Sequence, residues 1–249
     1  YLTMIYRPVV GGKRFMEKTA DHAKIKAEEE QSVTKVQELA GNVEAVIKDY
    51  SPYRLGMYEG ANGVVFSETL EFLGYILNRL EEPVPVLHSP IYNYLPVSRH
   101  MFSAKSGDFV INAPNGVNHY GAILNVKEYA DATYPGILNG LKYLDYEYVI
   151  THSFSPMGRQ DALKVLDRTK GMMISSGDKA LSQIVELDYA MDQVSSGNFV
   201  LGEYHFTMTI YAESQENLAQ RVASTRAELS NAGFVSSKED IAVASSFYS

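Results

Sequence analysis

Residues 121–154 constrain the fold of this sequence more than any other segment. Apolar and polar side chains alternate at the start of the segment, which predicts a half-buried β-strand. The apolar positions of that strand are Ala122, Leu124 and Val126. Pro135 opens a predicted helix over 135–144, and the apolar run 146–150 predicts a second strand. This strand–helix–strand pattern predicts a fold in which helices pack on a sheet.

The composition limits the classes of protein to consider. A chain of 249 residues, 45% of them hydrophobic, can form one large domain or two small ones with a packed core. The net charge of −8 argues against a dedicated nucleic-acid or anionic-membrane binder, because both need basic surfaces. The absence of cysteine excludes disulfides and thiolate chemistry. No apolar run approaches the roughly 20 residues of a membrane-spanning helix, and no signal peptide is evident.

The first half of the sequence predicts helices and short strands. The elements are a strand at 2–6, a helix at 13–50, strands at 54–59 and 64–66, and a helix between Ser67 and Pro83. Glycines in the segment 60–63 allow the positive φ angles of a tight hairpin turn. The predicted buried side of the second helix consists of Leu70, Leu73, Leu77 and Leu80. The charged start of the long helix is either an ordinary solvated face or a partner-binding arm.

The second half predicts a larger α+β unit. Five prolines exclude long regular elements from 83–118, so this segment is the predicted connection between subdomains 1–82 and 119–249. The further predicted elements are helices at 159–175 and 178–196, a strand at 200–211, a helix that is capped by Ser214 and ended at Gly233, and a strand at 241–244. The order predicts an α+β fold of two ferredoxin-like (β-α-β) halves, with a helical hairpin at 159–196 inserted in the second.

The motifs of common enzymes are missing from the sequence. A phosphate loop needs the pattern G-x-x-x-x-G-K-[ST], and neither Gly12-Lys13 nor Gly177-Asp-Lys179 fits it. The dinucleotide pattern G-x-G-x-x-G and the hydrolase pattern G-x-S-x-G are absent as well. We therefore predict no catalytic, cofactor-binding or metal-binding residue in this chain.

Two groups of side chains leave alternatives open. His152, Glu203 and His205 are either polar residues at strand ends or a metal or acid–base cluster. The sheet aromatics Tyr146, Tyr148, Tyr204 and Phe206 either pack in the core or stack on the bases of RNA. The 18 tyrosines indicate either an interface-rich surface or ordinary half-buried sheet positions.

Several stretches together resemble the N-terminal, non-motor region of the CagE/TrbE/VirB family, the large ATPases of bacterial type IV secretion systems. The matching stretches are 120–129 (YGAILNVKEY), 135–138 (PGIL), 148–154 (YVITHSF), 176–187 (SGDKALSQIVEL), 196–214 (SGNFVLGEYHFTMTIYAES) and 238–248 (KEDIAVASSFY). Residues 2–8 (LTMIYRP) and 67–78 (SETLEFLGYILN) match more loosely. The series covers most of the chain in the family's order, so the combination is specific although no single stretch is.

The resemblance implies a cytoplasmic protein held at the bacterial inner membrane by other secretion subunits, and self-association of the full-length protein. It places ATP, Mg²⁺ and ATP hydrolysis in a RecA-like motor that follows this region. Both ends of the sequence look cut, so we interpret the chain as a fragment that lacks this motor.

The expected function is therefore docking, in which the chain binds neighbouring secretion subunits and positions the motor. The alternative is a module that binds single-stranded nucleic acid in a conjugation or secretion apparatus.

Overall fold

The computed structural model describes residues 1–5, 22–176 and 181–248. It divides the chain into two compact units, Tyr1–Thr69 and Leu70–Ser249. The elements are mixed helix and antiparallel sheet, so the predicted α+β class is confirmed. The ferredoxin-like description of the two halves stays a prediction, and so do the predicted boundaries near residues 82 and 118. No helix among the described residues has the length and apolar character needed to cross a membrane.

The first unit contains a long helix and a β-hairpin. Helix α1 (His22–Val46) is followed by a single 3-10 turn at Lys48–Tyr50. Strands β1 (Met57–Glu59) and β2 (Val65–Ser67) pair antiparallel around the predicted turn, where Gly63 has a φ of 73°. The predicted hairpin is therefore confirmed.

In the first unit, one predicted strand is not formed in its described part, and one predicted helix lies partly outside the described residues. The described part of the predicted strand at 2–6 is exposed and forms no strand, because no strand in the described part of the chain pairs with it. The predicted start of the long helix at 13–21, with half of the charged residues of its first part, lies outside the described residues.

Helix α2 (Glu68–Asn78) buries the side that its leucines predict only in part, because Leu70 is buried and Leu77 is half-buried. Leu70, Gly74 and Asn78 are buried at steps of four, whereas Leu73 is 39% exposed. A glycine at position 74 lets the helix lie close to Leu95. The Asn78 amide then donates to the Leu95 carbonyl at 2.7 Å, so a polar contact helps to set the orientation of the helix.

A six-stranded antiparallel sheet forms the centre of the second unit. Its strands are β3 (Arg99–Phe102), β4 (Asp108–Asn112), β5 (Asn118–Glu128), β6 (Tyr148–Pro156), β7 (Gly202–Ala212) and β8 (Val235–Lys238). The order is β3-β4-β5-β7-β6, and β8 pairs with β5. Strand β4 pairs with the first part of β5, and β8 pairs with its second part. The strand predicted from Ala122, Leu124 and Val126 and the strands predicted at 146–150 and 200–211 are thus confirmed as β5, β6 and β7.

Each face of this sheet has its own apolar core. Helix α5 (Gln215–Asn231) covers one face, where Leu218, Val222 and Leu229 pack on Met208 and Ile210. The predicted cap is confirmed, because the Ser214 hydroxyl accepts a hydrogen bond from the Asn217 N–H at 3.2 Å. On the other face, Phe109, Ile111, Ile123 and Tyr211 pack with Val243 and Phe247 of helix α6 (Val243–Phe247).

Two predicted elements of the second unit are wrong. The helix predicted at 135–144 is only a 3-10 helix at Asn139–Tyr143, preceded by Gly136 with a φ of 89°. The strand predicted at 241–244 is the start of α6, and the last strand is β8. The β8 sequence VSSK is too polar to signal a strand, and its pairing with β5 decides its conformation.

The predicted helical hairpin is confirmed by α3 (Arg159–Ser175) and α4 (Leu181–Ser196). The two helices pack on each other, and we call them together the arm. The Lys170 ammonium of α3 pairs with the Asp188 carboxylate of α4 across the hairpin. The arm is inserted between β6 and β7, and its base is tied by a hydrogen bond from the Met157 N–H to the Leu201 carbonyl at 2.8 Å.

Candidate functional site

The arm exposes large apolar side chains instead of burying them. Among its described side chains only Ala162 and Val194 are buried. The two helices contact each other, and the apolar side chains that are half-buried there are Leu163, Leu166 and Met173 of α3 and Ile184, Leu187 and Met191 of α4. A second set of apolar side chains therefore has no place in that contact and faces the solvent.

Three of these side chains form what we call the α4 surface: Val185, Tyr189 and Phe199. Val185 and Tyr189 are four residues apart, so they lie on one side of α4. The Phe199 N–H bonds back to the Gln193 carbonyl at 3.2 Å, and its ring meets the Tyr189 ring edge-on at 6.2 Å between centroids. The exposed fractions are 67% for Val185, 59% for Tyr189 and 48% for Phe199. Such a group of exposed aromatic and branched residues is typical of a protein-binding surface.

The charges on helix α4 itself have one sign. Helix α4 contains Glu186, Asp188 and Asp192 and no lysine or arginine. Asp188 is neutralised by Lys170 of α3, which leaves Glu186 and Asp192 as negative charges beside the apolar group. The α4 surface is therefore chemically suited to a partner with apolar side chains surrounded by basic ones.

A second candidate site is a polar cleft of about 600 Å³ in the second unit. Its walls include His119, Tyr146, Glu147, Tyr211 and Arg221. Glu213 also lines it and accepts two hydrogen bonds from Arg221, at 2.8 and 3.0 Å. Of the three carboxylates that line the cleft, Glu147 and Glu213 are paired with arginines and Asp145 is the third, so a structural role over catalysis is favoured for the two paired ones.

The pairing of Arg79 with Glu147 is the most buried ionic contact beside this cleft. The Arg79 side chain is 2% exposed and lies between the rings of Tyr75 and Tyr211, at 4.6 and 4.1 Å from their centroids. Glu147, 47% exposed, accepts hydrogen bonds from Arg79 and from the Tyr75 hydroxyl. The Arg79 Nε and Nη1 atoms have no hydrogen-bond partner among the described residues. Glu147 is consequently the only carboxylate that the described structure pairs with this buried charge.

Burial and charge shift the pKa values around Arg79. Burial raises the pKa of Glu147, but the hydrogen bonds from Arg79 and Tyr75 outweigh it and hold that pKa below its ordinary value. Burial and the nearby Arg79 charge lower the pKa of His119. Burial raises the pKa of Tyr211 to about 12. The site therefore favours an ionised Glu147, a neutral His119 and a neutral Tyr211.

The structure separates the three residues considered as a metal or acid–base cluster. His152 is paired with Phe206, whereas His205 is paired with Ser153 and Glu203 with Ser155. Because successive side chains of a strand point to opposite faces, His152 lies on the face opposite to Glu203 and His205. No group of three or more potential ligands comes together among the described residues, which include all three of these. That alternative interpretation is therefore wrong.

The four sheet aromatics do not form a platform for stacked bases. Phe206 is buried, and Tyr146 and Tyr148 pack against the same core beneath α5. The Tyr146 hydroxyl donates to the Arg221 carbonyl at 2.9 Å, and the Tyr148 hydroxyl donates to the Leu141 carbonyl at 2.8 Å. Only Tyr204 is exposed, at 45%, and it contacts the rings of Tyr129 and His152. Core packing explains three of the four aromatics.

Sequence reasoning missed both candidate sites. The spacing of Val185 and Tyr189 is visible in the sequence as a second apolar stripe on α4, so the α4 surface could have been predicted from the sequence. The sequence carries no signal for Arg79, because its partner Glu147 is distant in the sequence and meets it only in the folded chain. The Arg79 backbone φ of 58°, rare for a non-glycine residue, is also a property of the folded chain alone.

Comparison with known proteins gives consistent matches. Residues 53–249 match the model of the CagE, TrbE, VirB family, described as a component of the type IV transporter system. The whole chain is 34% identical to the type IV secretion system protein virB4 of Brucella abortus (strain 2308) and covers 31% of it. It is 34% identical to the type IV secretion system protein PtlC of Bordetella pertussis and covers 30% of it. Over 94% of the chain, virB4 of Bartonella henselae is 29% identical, with 30% of that protein covered. The chain thus spans less than a third of the length of these relatives.

Proposed function

The chain belongs to the CagE, TrbE, VirB family of type IV transporter components, and we propose that it is the N-terminal, docking region of such a protein. In this proposal the chain binds other secretion subunits at the cytoplasmic side of the bacterial inner membrane. Binding positions an ATPase motor that other parts of the full-length protein supply. The observation that carries the proposal is the exposed, acidic α4 surface on an arm that buries almost none of its own side chains.

The chemistry of the α4 surface limits the partner. An apolar group of three side chains needs a partner surface with apolar residues at its centre, because covering Val185 and Tyr189 removes apolar area from water. Glu186 and Asp192 favour lysine or arginine at the rim of that surface. The expected partner segment is therefore an apolar stripe with basic flanks, and its association rate should fall as salt is raised.

Photo-crosslinking in cells that produce the complete secretion system tests this proposal. A photoreactive phenylalanine analogue replaces Tyr189 in the full-length protein, and Tyr143 supplies the matched control because it is an equally replaceable tyrosine that is 89% exposed. We expect position 189 to crosslink to another secretion subunit, identified by mass spectrometry, and position 143 not to do so. Equal crosslinking from both positions would show that exposure alone explains the contact.

A charge substitution provides an independent check of the same surface. Val185→Asp places a carboxylate at the centre of the α4 surface, whereas Val165→Asp makes the same change at an exposed position of α3. We expect Val185→Asp to abolish the crosslink from position 189 and to reduce secretion, with Val165→Asp close to the unaltered protein. Circular dichroism of both variants should match the unaltered chain, because neither valine is buried.

We also propose that this chain has no nucleotide site of the phosphate-loop type. The proposal rests on the absence of the G-x-x-x-x-G-K-[ST] pattern from the sequence. Calorimetry of the purified chain with ATP and Mg²⁺ should give no saturable heat. Saturable, magnesium-dependent binding would overturn this proposal without affecting the docking proposal.

A further inference from the structure

No strand among the described residues pairs with the outer edge of β6, so a row of its backbone groups is open there. Two hydrogen bonds fix its orientation: the Tyr211 N–H donates to the Glu147 carbonyl, and the Met157 N–H donates to the Leu201 carbonyl. Both fit the register of β6 with β7, so odd-numbered residues of β6 bond to β7. The N–H and C=O groups of Ile150, His152 and Phe154 therefore point away from β7. They make no backbone hydrogen bond within the described chain.

This edge lacks the features that normally protect an edge strand. Proteins protect such strands by making them short or by placing charges on them. The edge strand β3 has four residues and contains Arg99, and β8 has four residues and ends at Lys238. Strand β6 has nine residues, YVITHSFSP, without any lysine, arginine, aspartate or glutamate. Its one proline, Pro156, is at the end of the strand and leaves the centre able to pair.

The side chains of β6 are large on one face and small on the other. Tyr148, Ile150, His152 and Phe154 lie on the face that α5 covers. Val149, Thr151, Ser153 and Ser155 lie on the opposite face. An added strand must repeat this alternation if both faces of the sheet are to continue across the new pair. Strand β6 itself has that alternation, and its lack of charge means that two copies oppose no like charges.

We propose that β6 pairs antiparallel with β6 of a second copy of this chain, with His152 opposite His152. This register joins the centres of the two strands and pairs all nine residues, since Tyr148 then lies opposite Pro156. The two-fold symmetry makes the contact self-complementary. Ile150 lies opposite Phe154, which is 56% exposed in the single chain, and Thr151 lies opposite Ser153. The pairing involves none of the three residues of the α4 surface, so it does not depend on the docking proposal.

Cysteine crosslinking measures this register directly, because the chain has no cysteine of its own. In the proposed dimer Thr151 and Ser153 form a close pair that is not joined by backbone hydrogen bonds, where side chains approach well enough for a disulfide. The variants are Thr151→Cys and Ser153→Cys, alone and mixed, with Ser106→Cys in the turn between β3 and β4 as control. We expect mild oxidation to crosslink the mixture, and each variant alone to remain at the level of the control. A mixture at the control level, or a dominant Thr151→Cys product with itself, would overturn the proposal.

Sedimentation tests the association without any crosslink. At about 100 µM the unaltered chain should sediment as a dimer, since a dimer of micromolar affinity is fully formed there. His152→Pro removes an outward N–H from β6, together with the imidazole contacts to Tyr204 and Phe206, and should give a monomer. Thr151→Lys, at an exposed position, is the second variant in case His152→Pro does not fold, and it should weaken the dimer about tenfold. Ser106→Lys is its matched control, and an unaltered chain that is monomeric at this concentration contradicts the proposal.

Discussion

The sheet of the second unit and the arm inserted in it use the same residue types in opposite ways. In the sheet, β5 and β7 are covered on both faces, and Ile123, Met208 and Ile210 are completely buried. In the arm, residues of the same kind, including Val185 and Met172, are more than half exposed. The sheet uses apolar side chains for stability, whereas the arm leaves them available for binding. Equal substitutions in the two regions should therefore have unequal effects.

A pair of methionine truncations should show the largest difference. Met208 is 0% exposed on β7 and Met172 is 53% exposed on α3. Met208→Ala should lower the free energy of unfolding by about 4 kcal/mol, because it removes buried apolar atoms and leaves a cavity. Met172→Ala should change it by less than about 0.5 kcal/mol. Urea titration followed by circular dichroism measures both, and similar losses would mean that the arm is as tightly packed as the sheet.

Substitution of two glutamates should distinguish the contribution of a buried ion pair to stability from that of an exposed one. Glu147→Gln leaves the buried Arg79 guanidinium without a negative partner and should cost about 2 to 3 kcal/mol, a value reduced by the partial exposure of Glu147. Glu213→Gln breaks the pair with Arg221, in which the glutamate is 72% exposed, and should cost less than about 1 kcal/mol. The same urea titration applies. A larger loss for Glu213→Gln would show that the Arg79 pair is not the stronger contact.

Some elements of this fold could be predicted from the sequence, and others could not. Strands β5 and β7, the cap at Ser214 and the hairpin of α3 and α4 were predictable, because periodicity and capping act within a few residues. The short strand β8 and the 3-10 helix Asn139–Tyr143 were not predictable. Pairing with β5 decides the conformation of β8, and the backbone angles of the folded chain decide that of the 3-10 helix.

One of the two candidate sites could have been predicted from the sequence, and the other could not. The apolar stripe of Val185 and Tyr189 is local and could be found from the spacing on α4. The Arg79–Glu147 pair joins the residue after α2 to the residue before β6, and no local pattern indicates that these two residues meet. The wrong interpretation of His152 with Glu203 and His205 failed for a similar reason, because the register of β6 with β7 decides which face each side chain occupies.

A pair of glycine substitutions should reverse sign between the two regions. A Cβ at Gly121 would lie 2.2 Å from the Phe109 ring, which packs over this glycine from the neighbouring strand. Gly121→Ala should therefore cost about 2 kcal/mol through overpacking. Gly171 lies inside α3 with nothing within 4 Å of a Cβ, so Gly171→Ala should stabilise the arm by up to about 1 kcal/mol. Thermal melting should show a lower midpoint for the first variant, and a lower midpoint for the second would indicate an unrecognised contact at the arm.

Acidification should act on the sheet unit through His119 and His152, whose pKa values burial lowers, and leave the arm without a comparable contribution, because residues 159–196 include no histidine. Burial lowers the pKa of His119 below 6.5, so the folded state binds a proton less readily than the unfolded state. The resulting stability is present above pH 6.5 and is lost as the pH falls through the folded pKa. Titrations between pH 7.5 and pH 5 should show a smaller loss for His119→Asn than for the unaltered chain. Equal losses of stability in the two proteins would assign the pH dependence to other groups. The pKa of Glu147 is held below its ordinary value, so Glu147 contributes a loss of stability only at lower pH.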